Sequence, residues 1–324
     1  MKRRTFIISA SLSLLLGFGN VVAHAQNSAD GTVRIAPLQA TNLLTLARQS
    51  GQADKHLKTI GGKIDWKASM PAYAPTAEVL RGGSADIGSG SVTSFLTAAA
   101  NNKDLVIFAV EKDDGKTQGI VANGASGIKS IPDLVGKKIA VNKGGTGEYL
   151  LRLALARHNI SYDKVTPVYL GPTEGATAFA QGHVDAWAVW EQFFAAGQAV
   201  PGAKVIAWAG DIGSLNRIVH VTTRDFAQRN PKLLKAVYDA LAVEAQAIKN
   251  DPSLIAALNI KEGMPKDVAA ILRKVQPQAL APADDAFLKE LDEVATFYVS
   301  QGLTPQKIDV RGLTVNVLNP QAKQ

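Results

Sequence analysis

From Thr32 onward, short apolar runs alternate with stretches whose apolar positions recur every three or four residues. The first pattern predicts strands and the second amphipathic helices. Residues 32–37 read as a strand, 43–50 as a helix stopped by Gly51, 63–69 as a strand, and 72–81 as a helix ending at Gly82-Gly83. Asp86 opens a short buried strand, 93–101 is a helix and 105–110 a strand. The alternation restarts after Thr117, with strands at 119–122, 138–142, 166–170, 186–189, 204–209 and 218–223. Between them lie a single turn at 131–135 and helices at 146–158 and 174–181. After Arg224 the pattern is helical, at 231–250, 252–258, 265–275 and 284–301. Apolar strands separated by amphipathic helices predict an α/β fold, with parallel pairing and helices on both sheet faces.

The restart comes with an internal echo. Residues 80–86 align with 179–185, each a helix end, then Gly83 or Gly182, then two residues and Asp86 or Asp185 before a strand. A glycine there suits the left-handed position that ends a helix. Two related lobes are one reading; a common helix-to-strand turn is the other.

The first twenty-five residues add a compartment. Lys2, Arg3 and Arg4 precede an apolar run over 6–16, and Ala23-His24-Ala25 has the small-x-small form cut by signal peptidase. This predicts an exported chain beginning at Gln26, by the general or the twin-arginine route. Removing Lys2, Arg3 and Arg4 from 35 basic residues leaves 32 against 28 acidic, a mildly positive mature chain suited to anionic solutes. Scattered Lys and Arg and only 6% aromatics speak against a nucleic-acid surface. The chain has no cysteine, which excludes a lipid anchor, disulfides and thiolate chemistry.

The segments 35–39, 79–88, 136–144 and 178–187, the last continuing into Val189-Trp190-Glu191-Gln192-Phe193, resemble the aliphatic-sulfonate and taurine binding proteins of ABC importers, a group that also takes nitrate. The likeness runs from about Thr32 to Leu241. It implies a type II periplasmic-binding fold of two Rossmann-like lobes. Lobe one would comprise 30–117 plus 224–324, and lobe two 118–223, with hinges near 116–118 and 221–224. It also implies a periplasmic receptor, a small anionic solute, a membrane-embedded permease as partner, a monomer and no cofactor. The family's apolar-polar mixture before the last crossing is replaced here by Asn216-Arg217-Ile218-Val219-His220, which leaves the ligand open.

Candidate site residues lie in loops after strands, where open α/β sheets bind ligands. Gly144, Gly145 and Thr146 sit between a strand and a helix, where peptide N–H groups and the helix dipole favour an anion. The loop has neither the Walker nor the dinucleotide-binding glycine spacing, and a plain tight turn is its other reading. Gln39, Thr41 and Asn42, with Ser91 and Thr93 in the equivalent place, offer neutral donors or simple helix caps. Trp187 and Trp190 fall on opposite strand faces, which sends Trp187 to the core and leaves Trp190 to cover an organic tail. Glu191 suits a cationic end of a zwitterion or the cap of the next helix. Asn216 offers an amide, and Arg217 suits a second acid group or plain solvent. No nucleophile elbow or metal-ligand histidine spacing occurs. An enzyme on the same fold, of the thiamine-precursor synthase kind, and a nitrate or carboxylate receptor remain the alternatives.

Overall fold

The computed structural model describes residues 31–100, 103–274 and 279–319. The expected leader and the expected start at Gln26 lie outside them. In chain order the first elements are β1 (Thr32–Ala36), α1 (Leu43–Ser50), α2 (Gln52–Lys58), β2 (Lys63–Trp66), α3 (Tyr73–Arg81), β3 (Ile87–Ser91), α4 (Val92–Ala99) and β4 (Leu105–Lys112). Next come β5 (Gln118–Ala122), β6 (Lys138–Val141), α5 (Thr146–Arg157), β7 (Thr166–Tyr169), α6 (Pro172–Ala180), β8 (Ala186–Trp190), α7 (Glu191–Ala199) and β9 (Lys204–Trp208). The chain closes with β10 (Ile218–Thr223), α8 (Arg224–Arg229), α9 (Pro231–Asn250), α10 (Ser253–Lys261), α11 (Lys266–Leu272), β11 (Ala279–Pro282) and α12 (Asp285–Ser300).

Two sheets result, in the orders β11-β4-β10-β3-β1-β2 and β7-β6-β8-β5-β9. The expected parallel pairing holds for β1 with β2 and β3, and for β6 with β7 and β8. It fails elsewhere. β10 runs antiparallel to β3 and β4, and β5 antiparallel to β8 and β9. β5 and β10 are the strands that follow each passage between sheets, and an apolar run carries no sign of its direction. The expected lobe boundary also moves. β10, placed by sequence at the end of lobe two, pairs within the first sheet, so the return passage spans 209–217 rather than 221–224.

The two passages run side by side. Gly210 N donates to Gly115 O at 3.0 Å. Gly115 has φ +75°, and a Cβ on it would sit 2.3 Å from Gly210 N, so only glycine fits.

The internal echo is structural. Gly83 and Gly182 have φ +69° and +72°. Asp86 Oδ2 accepts from Arg34 N, and Asp185 Oδ2 from Lys138 N, both at 2.8 Å. In each sheet the aspartate fastens the start of one strand to its parallel neighbour. One face of the first sheet buries Val33, Ile35 and Phe108 with Leu57, Val237 and Leu241. A second cluster joins Phe95, Ile107 and Tyr298 to Ile139, Leu150 and Leu151 of the second sheet's layer. A third packs Val121, Phe179, Trp187 and Phe194 behind it.

Candidate functional site

The strand ends of the two sheets face a cavity of about 420 Å³. From the first sheet's side it is lined by Gln39, Asn42, Tyr73, Arg81, Ser91 and Ser94, among others. From the second it is lined by Gln118, Asn142, Lys143, Gly144, Thr146, Trp190, Glu191 and Phe193. Seven of the twelve residues singled out from sequence therefore meet here: Gln39, Asn42, Ser91, Gly144, Thr146, Trp190 and Glu191. The other five, Thr41, Thr93, Gly145, Asn216 and Arg217, do not line it.

Each absence has a partner that explains it. Thr41 Oγ1 donates to Asn259, and its N–H donates to Gln192 Oε1. The Thr93 N–H is held by Asn216 Oδ1 at 3.1 Å, and its hydroxyl lies 2.9 Å from Ser91 Oγ. Asn216 Nδ2 reaches Gln118 Oε1 and Thr146 Oγ1, both at 3.0 Å, which ties the head of α4 to the head of α5. Arg217 lies 3.5 Å from Glu290 and 3.8 Å from Asp113. Gly145 is crowded, since a Cβ would fall 1.9 Å from Asn142 Nδ2.

Two amides of the expected anion nest are engaged within the chain. The Gly144 N–H donates to Glu148 Oε2 at 2.8 Å and the Gly147 N–H to Asn142 Oδ1 at 2.6 Å. The chain's own side chains thus occupy two of the amides meant for a ligand. At α4, Val92 N donates to Arg217 O and Ser94 N to Ser91 Oγ, so that helix head is likewise capped from within.

Glu191 is the unusual wall residue. It opens α7 at φ +41°, a conformation that costs a residue with a side chain about 1–3 kcal/mol. Its N–H is fixed by Thr117 O at 2.7 Å. Burial pushes its carboxyl well above the usual carboxylate range, and the like charges of Asp113 and Glu111 push it further. Beside it Trp190 and Phe193 meet edge to face at 6.2 Å, while Trp187 is core, as strand alternation requires. Gln192, the next residue of α7, spans the cleft. Its Nε2 donates to Gln39 O at 2.7 Å, and its Oε1 accepts from Thr41 N at 3.0 Å.

A serine–histidine–glutamate array lies in the first sheet. Ser89 Oγ is 2.9 Å from His220 Nδ1, and His220 Nε2 is 2.8 Å from Glu111 Oε1, which also accepts from Leu43 N. All three are buried and none lines the cavity, so the array braces β3, β10 and β4 against α1 and offers no nucleophile to a solute. Among the described residues no His, Cys, Asp or Glu group is arranged to hold a metal ion.

Sequence reasoning passed over Tyr73, Arg81, Ser94, Gln118, Lys143 and Phe193. Tyr73 and Arg81 read as an ordinary aromatic and an ordinary last-turn cation of α3. Phe193 stands in the quoted Trp190-Glu191-Gln192-Phe193 run and was within reach.

Two sheets with two side-by-side passages and a cleft at the strand ends define the periplasmic-binding-protein fold. The chain belongs to the NMT1/THI5 like family, which matches residues 63–255. The alkanesulfonate-binding protein SsuA from Xanthomonas axonopodis pv. citri, solved bound to MOPS, superposes with TM-score 0.80 at 26% identity, over 88% of this chain and 98% of that one. The periplasmic aliphatic sulphonate binding protein SsuA from Escherichia coli gives TM-score 0.77 at 27% identity, over 87% and 91%. The fold also carries catalysis. The desulfurization enzyme DszB aligns with TM-score 0.64 at 15% identity, over 89% and 98%, a likeness of fold alone.

Proposed function

We propose that this chain is the solute-binding component of an ABC importer, which captures a sulfonate in the cleft and delivers it to a membrane permease from the periplasm. The observation that carries this is the pairing of a donor-lined cleft with likeness, along most of the chain, to proteins named for binding sulfonates. The lobes are 31–112 plus 218–319 and 118–208, joined by the passages 113–117 and 209–217. A sulfonate is a permanent anion with three acceptor oxygens, and Ser91, Ser94, Asn42, Gln39 and Thr146 supply several neutral donors at once. Trp190 and Phe193 cover the organic part. A buried carboxylate in the wall of an anion receptor would repel its ligand. Burial and the nearby charges of Asp113 and Glu111 raise the Glu191 pKa, which lessens this conflict. The chain acts as a monomer without cofactor, and as a receptor rather than an enzyme.

The test is a thermal-shift screen of the exported chain against alkyl and aryl sulfonates, nitrate and dicarboxylates. A sulfonate at a hundred times its Kd adds about 2.7 kcal/mol of stability. Stabilisation by nitrate or a dicarboxylate, with none by any sulfonate, refutes the reading. Turnover of a bound sulfonate would favour an enzyme instead.

A further inference from the structure

The cavity has an inner and an outer end, and the sheet order tells them apart. Gln118 and Ile218, the first residues after the two passages, line it and mark its inner end. β2 and β7 are edge strands, each three places from the strand that follows a passage, β10 in one sheet and β5 in the other. At the usual spacing between strands, three places are roughly 14 Å. Pro71, beyond β2, and Gly171 and Pro172, beyond β7, line the outer end. Each of these lips is fixed to the strand beside it. Met70 N donates to Pro37 O at 2.7 Å, and Leu170 N to Val141 O at 3.0 Å.

The donors gather at the inner end. Asn216, in the return passage, bonds Gln118, Thr146 and the Thr93 N–H. The Thr93 hydroxyl lies 2.9 Å from Ser91 Oγ, which lies 3.1 Å from Ser94 Oγ. Gln118, Thr146, Ser91 and Ser94 all line the cavity, so one web holds four wall residues next to the passages. The outer end is different. A proline has no N–H to donate, so neither Pro71 nor Pro172 offers a solute a peptide donor. Trp190 and Phe193 stand between the ends, since β8, which Trp190 closes, lies between β5 and β6. Two cations of the wall are engaged within the chain. The Lys143 ammonium is 5.7 Å from the centre of the Tyr169 ring, and Arg81 donates to Ala98 O at 3.1 Å.

We propose that the solute lies lengthwise in the cleft, its sulfonate at the inner web and its apolar body running past Trp190 and Phe193 to the lips at Pro71 and Pro172. The solute class is then a sulfonate whose apolar chain is long enough to reach the lips. This rests on the sulfonate reading above and narrows it. A cavity of about 420 Å³ falls in the range of pockets for drug-sized ligands, about 300 to 1,000 Å³, and ethanesulfonate would leave its outer end unfilled. Pro71 and Pro172 are the residues that set the preferred length, because the last carbons of the chain lie between them. Each methylene buried there tightens binding by up to about fourfold.

Calorimetric titration with the straight-chain series from ethanesulfonate to hexanesulfonate tests this, read as the change in Kd per added methylene. In the wild-type chain each methylene lowers Kd about two- to fourfold. Pro71→Asp and Pro172→Asp each set a hydrated carboxylate at a lip, and the steps from butane- to hexanesulfonate shrink to about 1.5-fold or less. The new charge repels every sulfonate head alike, and such a uniform loss leaves the steps as they were. Pro71 is exposed and precedes α3, and Pro172 opens α6, where an acid is favoured, so either variant carries the test if the other folds poorly. Ser94→Ala, at the inner end, raises Kd by a similar factor at every length and keeps the steps. Equal wild-type Kd values along the series, or steps that both aspartate variants leave intact, overturn the inference and leave sulfonate binding standing. Steps lost in Ser94→Ala but kept in the aspartate variants put the chain at the inner end and overturn it too. Binding of no member of the series removes the sulfonate reading and this inference with it.

Discussion

Asn216→Ala separates a strut from a ligand contact. Asn216 is 3% exposed, and its side chain makes three hydrogen bonds, to Thr93 N (3.1 Å), Gln118 Oε1 (3.0 Å) and Thr146 Oγ1 (3.0 Å). Alanine deletes all three and strands the Thr93 N–H and Gln118 Oε1 in the interior. Each stranded group costs about 1–3 kcal/mol, so a loss on the order of 3–4 kcal/mol is expected before any ligand is added. Urea unfolding of the ligand-free chain measures it, as a lowered midpoint at constant slope. Asn216→Asp serves as the second variant. It keeps the acceptor for Thr93 N but sets a buried carboxylate against Gln118 Oε1, and it should be at least as destabilised as alanine at neutral pH. If Asn216→Ala unfolds at the wild-type urea midpoint and only sulfonate affinity drops, Asn216 is a ligand contact and the reasoning fails.

Glu191→Gln should stabilise the empty chain at neutral pH. The folded carboxyl keeps its proton to higher pH than the unfolded one, so stability is lost as pH rises above about 4.3 until the folded group ionises. Melting temperatures from pH 4.5 to 7.5 should show the variant's advantage growing with pH; an advantage that shrinks refutes the assignment. Gln192→Ala removes two bonds across the cleft, and at about 0.5–1.5 kcal/mol each the sulfonate Kd should rise roughly 5- to 100-fold, read by calorimetry; an unchanged Kd denies the amide any part in closure. Gly115→Val forces a side chain onto Gly210 at positive φ and should cost about 2 kcal/mol or more in urea unfolding. Trp190→Ala should weaken long-tailed sulfonates more than short ones in the same titrations.

Much of the fold was legible where local chemistry decides it. The helix Leu43–Ser50 was bounded correctly because Asn42 caps it, accepting from Thr45 N at 3.0 Å, and Gly51 ends it at φ 73°. Pro231–Asn250 was bounded by Pro231 at its first turn. The Gly83 and Gly182 turns matched for the same kind of reason. Gln52–Lys58 was missed because Gly51 reads as a stop, although the chain restarts a helix from it at once. Strand direction in β5 and β10 was illegible because an apolar run is the same read either way. The site was half legible. Helix-head residues were found by type, but Thr41, Thr93, Asn216 and Arg217 spend their groups on neighbours distant in sequence. Arg81 and Tyr73 gain meaning only when α3 is seen to wall a cavity.

The cleft between the two sheets is proposed to hold a sulfonate. Titration calorimetry of the chain with a sulfonate at pH 7, repeated with the carboxylate of the same carbon skeleton, tests it most directly. One saturating site per chain, tighter for the sulfonate and weakened by Gln192→Ala across the cleft, is the predicted result. Binding that favours the carboxylate, or sulfonate binding indifferent to Gln192→Ala, would contradict it.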